Sequence, residues 1–316
     1  MTVRVVALSG GVGGAKLVLG LDRILPPGAL LVVANTGDDF EHLGLKISPD
    51  LDTLLYALAG LDNEATGWGR RDESWSCMAA LEALGGETWF RLGDRDLAMH
   101  LERTRRLATG ETLSAFAADM ARRLGIASRI VPMSDDPVRT RVVTAEGTLD
   151  FQDYFVRRRA EPAVRGLDFA GACEARPHPE IIAALADPAL QAVVICPSNP
   201  FLSIRPIFAV PGILDALRAT AAPVIAVSPI INGSAVKGPT AKMMREYGLV
   251  PSAETVAHYY TTLLDLDLFA VDRCDAAVAG VSTMVRPLAV DILMRSLDDR
   301  IALARGVLAA AEELRR

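Results

Sequence analysis

Four glycines within five positions, Gly10, Gly11, Gly13 and Gly14, separate an apolar run from an amphipathic one, and no other stretch limits the fold as strongly. Val3-Arg4-Val5-Val6-Ala7-Leu8 is β-branched and almost wholly apolar, the pattern of a strand buried on both faces of a parallel sheet. From Ala15 to Ile24 apolar residues recur at helical spacing. A strand, a glycine turn and a helix start aim the first helical amides into the turn, where an anion is favoured. Glycines there let the backbone approach a ligand with no Cβ in the way, although a tight strand-to-helix connection would also account for them. Two phosphate-binding templates fit poorly. The dinucleotide fingerprint G-x-G-x-x-G matches Gly11 and Gly13 but meets Lys16 at its third glycine, and Ala15-Lys16-Leu17 lacks the Gly-Lys-Ser/Thr of the P-loop. A nucleotide phosphate is expected; NAD or P-loop NTPase chemistry is not.

The 316 residues suffice for one α/β domain, a Rossmann-like parallel sheet flanked by helices, with a helical and small β insertion at about 63–175. A net charge of −6 argues against a nucleic-acid surface, which needs clustered Lys and Arg. Apolar runs stay short of the roughly 20 residues of a membrane span, and no signal-peptide pattern opens the chain, so a cytoplasmic protein is expected. Cys77, Cys173, Cys196 and Cys274 form no C-x-x-C pair and read as reduced, mostly buried thiols. With the four histidines equally scattered, neither a zinc site nor a Ser-His-Asp triad has a local signature. Hard-cation or purely electrostatic catalysis is the remaining route.

Leu30 to Ala34 reads as a second buried strand, completing a βαβ unit after the Pro26-Pro27-Gly28 turn. Ligands of open α/β sheets sit beyond strand carboxyl ends, and here that position holds Asn35-Thr36-Gly37-Asp38-Asp39-Phe40-Glu41-His42. Asp38 and Asp39 are candidates for holding Mg²⁺ against an anion on the glycine turn; a solvated turn with a helix cap is the plainer alternative. Ile47-Ser48-Pro49-Asp50-Leu51-Asp52-Thr53 then opens a helix, with Pro49 in its first turn and Asp50 and Asp52 at its positive end. Capping explains one aspartate; a second beside an acidic loop costs repulsion unless a cation or a hydroxyl-rich ligand is shared.

Trp89-Phe90-Arg91-Leu92-Gly93-Asp94-Arg95-Asp96 combines aromatic and alternating charged residues. The aromatics are expected to pack in a core, while Arg91, Asp94 and Arg95 suit a polar heterocycle. Helices are predicted over about 97–106 and 113–124, and short strands over 129–132, 138–144 and 148–155, the last three forming a small β segment laid on the main sheet. Arg157-Arg158-Arg159 reads as a solvated edge. The parallel pattern resumes at Ala192 to Cys196, followed by Pro197-Ser198-Asn199-Pro200-Phe201-Leu202-Ser203, a loop too proline-rich for helix. Pro223 to Val227 is the next strand; beyond it Lys237 and Gly238 precede a helix start at Pro239 and could meet a phosphate. Strands at 268–271 and 285–291 and helices at 255–264 and 295–314 complete the pattern, the last helix serving packing or a dimer face.

Taken in order, Ser9 to Lys16, Asn35 to Asp39, Ile47 to Thr53, Leu92 to Asp96, Pro197 to Pro200 and Lys237 to Pro239 resemble the motifs of the CofD family, the 2-phospho-L-lactate transferases of coenzyme F-420 biosynthesis. The resemblance implies transfer of a phospho-acid moiety (2-phospholactate, phosphoenolpyruvate or phosphoglycerate) from a guanosine diphosphate-activated donor to the ribityl hydroxyl of the deazaflavin Fo. GMP leaves, and Mg²⁺ is the implied cofactor. Gly10, Gly11, Gly13, Gly14, Lys16, Ser198, Asn199, Ser203 and Lys237 are then the expected guanosine-phosphate contacts, and Asn35, Thr36, Asp50, Arg91 and Asp94 the expected Fo contacts. Asp38, Asp50 and Asp52 are the catalytic candidates, and Asp38, Asp39 and Asp52 the metal candidates. Which aspartate acts as base, and which acid is donated, stay open. The expected assembly is a homodimer with small-molecule partners, neither nucleic acid nor membrane. A nucleotide-binding regulator of the same fold and an NAD(P)-type oxidoreductase are the competing readings.

Overall fold

In the computed structural model, which describes residues 3–276 and 285–315, the apolar runs form one seven-stranded sheet. Its strands are β1 (Val5–Ser9), β2 (Leu30–Ala34), β3 (Arg129–Pro132), β4 (Ala192–Ile195), β5 (Val224–Val227), β6 (Leu268–Asp272) and β7 (Arg286–Val290). They run in the order β7-β6-β5-β4-β1-β2-β3, and every pairing is parallel. Both faces are covered, as an all-parallel sheet requires. Val6, Leu8, Leu31, Val33, Val193 and Ile195 pack into one apolar layer, whereas Val5, Ala7, Leu30, Val32, Val194 and Cys196 pack into the other. The strand order reverses between β1 and β4, and ligands of such sheets bind at that crevice.

Register decides what meets there. Ser9 pairs with Ala34 and Leu8 with Ile195, so β1, β2 and β4 end at nearly the same level. The Gly10 turn, the Asn35 loop and the Pro197 loop therefore emerge side by side. Helix α1 (Gly11–Ile24) leaves the first of these and lies against helix α2 (Pro49–Ala59). Its start at Gly11 rather than Ala15 brings three glycines inside the first helical turn. A Cβ on Gly13 would come within 2.5 Å of the Pro197 carbonyl oxygen, and one on Gly14 within 2.5 Å of Ser198 Oγ. Close approach of the β4 loop is thus one physical reason for the glycines.

Three expectations need correction. Arg129–Pro132 is no part of a small β segment: it pairs with β2 as the edge strand of the main sheet. The small sheet is instead antiparallel, formed by Arg139–Thr144, Gly147–Asp150 and Val164–Ala170. Residues after Asp150 turn into a π-helical segment, Asp153–Arg157, whose Tyr154 enters the core, so the strand expected over 148–155 stops early. Finally, only Cys196, just after β4, is buried; Cys77, in the Ser76–Ala83 helix, Cys173 and Cys274 are exposed, and all four are unpaired. Short apolar runs do not distinguish an edge strand from a hairpin strand, because the partner is remote in sequence.

No single helix among the described residues is long and apolar enough to cross a membrane. The final helix, Leu297–Arg315, packs along α1 and closes on Gly20, where a Cβ would collide with the Arg300 carbonyl oxygen. A backbone neighbour cannot step aside as a side chain can. Gly20→Ala is therefore expected to lower stability by about 1–3 kcal/mol, the range for overpacking a close contact, measured by urea denaturation; an unchanged midpoint would contradict this packing.

Candidate active site

Asp50 joins two of the three loops. The Gly11 amide donates to Asp50 Oδ1 at 2.6 Å, and Asn35 Nδ2 donates to Asp50 Oδ2 at 2.9 Å. Asp50 lies in the first turn of α2 while capping the first turn of α1, so two helix N-termini favour negative charge at one place. Gly10 is forced: a Cβ would come within 2.6 Å of both Asp50 Oδ2 and Ser203 Cβ. Its amide donates to Ser198 Oγ at 3.2 Å, which ties the β1 turn to the β4 loop. Asn35 Nδ2 also reaches Asp38 Oδ1 at 3.4 Å, and Asn35 Oδ1 accepts from the Gly37 amide at 2.9 Å.

Four buried carboxylates stand around this point, Asp38, Asp39, Asp50 and Asp52. Burial pushes Asp39 up to about 7 and Asp50 up to about 6, the latter despite the hydrogen bonds from Asn35 and Gly11. Asp38 is raised well above the usual carboxylate range by burial and by the nearby charges of Asp50 and Asp39. Asp39 Oδ2 accepts from Ser48 Oγ at 2.8 Å, while Asp39 Oδ1 and Thr36 Oγ1 are buried without a hydrogen-bond partner among the described residues. Oxygen donors that are crowded, buried and under-satisfied suit a hard cation, and Mg²⁺ needs only one or two carboxylates when substrate phosphates complete its shell.

Asp52 faces a different environment. Its carboxylate pairs with the fully buried guanidinium of Arg103, and His100 Nδ1 lies 3.7 Å away. His100 Nε2 is 3.3 Å from Asp96 Oδ2, and Tyr56 OH donates to Asp96 Oδ1 at 2.5 Å. Burial opposes the charge on Asp96, but His100 and Tyr56 hold its carboxyl below the ordinary range. Asp52, Asp96 and His100 are close enough to share a metal; with Arg103 already supplying the compensating charge, we read them as a buried ion network that fixes α2 against the Asp94–Ala108 helix. That network was missed in the sequence. Its signal was the polar stripe Asp96, His100, Arg103 at i, i+4, i+7 on one helix face.

The other expected site residues separate into groups. Asn199 caps the segment that follows it, its Oδ1 accepting from the Phe201 and Leu202 amides. Pro200–Ile204 is a π-helical turn leading into a short helix, Arg205–Ala209, so the loop is helical after all. Pro200 and Pro206 occupy first-turn positions, where a missing N–H costs nothing. Ser203 is buried in that turn beside Gly10. Lys16 Nζ donates to the Met294 carbonyl at 3.0 Å and lines a cleft with the exposed Lys237. Asp94 caps the Ser76–Ala83 helix, accepting from the Ser76 and Cys77 amides at 3.0 Å each, and Arg91 lies over the Trp75 ring at 4.2 Å. Glu41 pairs with Lys46 on the surface, and His42 packs edge-on to Trp89 at 4.9 Å, within an aromatic cluster that includes Phe40 and Phe90.

Comparison with known proteins finds relatives over nearly the whole chain. The family model for 2-phospho-L-lactate transferase CofD matches residues 5–291. A phosphoenolpyruvate transferase from Streptomyces griseus is 41% identical over 320 residues, covering 99% of this chain and 100% of the relative. A 2-phospho-L-lactate transferase from Methanopyrus kandleri is 40% identical over 319 residues, covering 99% of each chain. One from Methanosarcina mazei is 40% identical over 271 residues, covering 85% of this chain and 88% of its own. A Bacillus halodurans crystal structure, at 16% identity, superposes with a TM-score of 0.61 over 98% of this chain and 99% of its own, which supports the fold alone.

Two measurements probe the carboxylates. An aspartate whose folded pKa is raised favours the fold fully below its ordinary value near 3.9 and loses that contribution as pH climbs through the folded value. For Asp39 the window runs from about 4 to about 7. Without divalent cations, wild-type melting temperature should fall relative to Asp39→Asn across that window; a constant difference would refute the assignment. Removing Arg103 should strand the Asp52 charge. Arg103→Met is expected to cost about 3–5 kcal/mol in urea denaturation, partly recovered by adding Asp52→Asn; equal stability of single variant and wild type would contradict the ion network.

Proposed function

This chain belongs to the CofD family of 2-phospho-L-lactate transferases, and from that premise we propose that it transfers a phospho-acid moiety from a guanylylated donor to the ribityl hydroxyl of the deazaflavin Fo. It is a transferase; the donor acid and the acceptor are our reading. Relatives named for phosphoenolpyruvate and for 2-phospholactate are equally similar, at 41% and 40% identity, which supports the donor class rather than one acid. The competing regulatory reading draws no support from those names.

One observation carries the reading: the Gly11 amide and the carboxylates of Asp38 and Asp50 meet at the strand-order reversal. A diphosphate entering there finds the α1 N-terminus and the Ser198 hydroxyl, and an acceptor hydroxyl finds carboxylates whose proton affinity is raised toward neutrality. The acceptor oxygen forms a bond to the phosphorus bearing the acid, the bridging bond to the guanosine phosphate breaks, and GMP departs with the electron pair. The hydroxyl proton passes to the raised carboxylate among Asp38, Asp39 and Asp50 that the cation leaves free. In-line placement and charge neutralisation supply most of the acceleration in such transfers. We assign Asp38 and Asp39, beside Asp50, as the residues that would hold Mg²⁺, which would supply neutralisation of the phosphate charge. Asp52, compensated by Arg103, positions the first turn of α2. Arg91 and Asp94, near the Trp75 ring, are our candidates for the Fo side.

The assay combines protein, Fo, Mg²⁺ and each guanylylated acid, and follows GMP release together with a heavier deazaflavin. Activity with at least one donor is expected, and Asp50→Asn should abolish it while the melting profile stays cooperative. Turnover near wild type in Asp50→Asn would overturn the assignment, and tight nucleotide binding without transfer from any donor would favour the regulator.

A further inference from the structure

A second group of charges gathers one helical turn from Asp50. Val12, Ala15 and Lys16 of α1 and Thr53 and Ala57 of α2 form the floor of a cleft enclosing about 450 Å³ of space continuous with solvent. Its rim is the Asp62–Arg70 loop, closed by backbone bonds from Asn63 to Gly69 and from Gly67 to Asn63. Three cations from distant parts of the chain, Lys16, Lys237 and Arg300, line it together with the carboxylates of Asp62 and Glu64. Lys237 reaches over Gly67, at the place where a side chain would begin. Burial, Arg300 and Lys237 together hold the Lys16 ammonium below its usual range, so the three charges do feel one another.

Three cations against two carboxylates leave the cleft with a net positive charge that suits an anion. Arg300 is only 4% exposed, its Nε has no hydrogen-bond partner among the described residues, and its Nη2 donates at 2.6 Å to Glu64, whose side chain is 65% exposed. A solvated carboxylate from the rim loop thus satisfies part of a buried guanidinium whose planar fork is built for two carboxylate oxygens. We propose that this cleft is the subsite for the acid end of the donor, with Arg300 recognising the donor carboxylate, Lys16 and Lys237 contacting its phosphoryl oxygens, and Glu64 holding the carboxylate position until the donor displaces it. The inference rests on the transferase reading above and adds to it a residue, Arg300, that discriminates a phospho-acid from a bare diphosphate. It also gives the rim loop a task, since exchange of Glu64 for substrate frees the loop that carries Trp68 along the same cleft.

Calorimetric titration of the full-length protein with Mg²⁺, in the absence of Fo, tests this directly with two probes, guanylylated phosphoenolpyruvate and GDP. Arg300→Gln should weaken the acid-bearing probe by about tenfold or more while changing GDP by less than about threefold, the difference expected for one charge-assisted contact. Glu64→Gln, which removes the competing charge, should tighten the acid-bearing probe by about threefold and leave GDP unchanged. Equal weakening of both probes by Arg300→Gln, or no gain from Glu64→Gln, overturns the proposal. Should Arg300→Gln fail to fold, Glu64→Gln decides alone, because its exposed side chain holds no core contact. The transferase reading fails separately: selective loss in these titrations with no transfer to Fo would keep the cleft and refute the reaction, and the converse would keep the reaction and refute the cleft.

Discussion

Everything near the crevice is organised by one carboxylate. Asp50 accepts from the first amide of α1 and from Asn35 at the end of β2, while standing in the first turn of α2. It therefore fastens two helix N-termini and two strand ends to one another. Gly10 must lack a side chain for this to happen, and Ser198 completes the link to β4. Two helix dipoles favour charge at that point while burial opposes it. The outcome is a carboxyl raised to about 6 that faces a similarly raised Asp38, a pair waiting for a cation or for a proton.

The four buried aspartates have two kinds of compensation. Asp52 has its countercharge built in, through Arg103 from the Asp94–Ala108 helix, and the network extends by His100 and Asp96 to Tyr56. Asp38 and Asp39 have no such direct partner: hydrogen bonds and the charge of Arg139 act on both, with Arg103 adding to them at Asp39. Because removing one member of a buried ion pair is far more costly than its net contribution, the Asp52 network gives rigidity to the platform on which Asp50 stands. In our proposal the less compensated aspartates are the ones left for a cation or a proton. Rigid support beside an electrostatically unfinished centre is the arrangement that preorganised phosphoryl chemistry needs.

Much of the architecture was legible because it depends on local pattern. Buried strands alternating with amphipathic helices implied a parallel sheet, and the strand ends indicated where Gly10, Asn35 and Ser198 would lie as neighbours. What could not be read were partners chosen by the fold. Arg129–Pro132 has the same apolar character as a hairpin strand, and only its pairing with Leu31 to Ala34 shows it to be the sheet edge. The double role of Asp50 was hidden because capping its own helix and capping α1 look identical in sequence. Arg103 belongs to a charge-rich helix, so its complete burial could not be told from the solvated arginines around it. Likewise, Pro200 and Pro206 suggested an irregular loop, yet prolines in first-turn positions allowed helical segments there.

We place the divalent cation with Asp38 and Asp39, beside Asp50, and the diphosphate on the Gly11 turn, leaving Asp52, Asp96 and His100 to their ion network. Anomalous diffraction from crystals grown with Mn²⁺ and GDP separates the two positions. We expect a manganese peak at about 2.1–2.2 Å from a carboxylate oxygen of Asp38, Asp39 or Asp50, sharing a diphosphate oxygen, close to the range for such hard cations. A peak among Asp52, Asp96 and His100, with Arg103 displaced, would contradict the account.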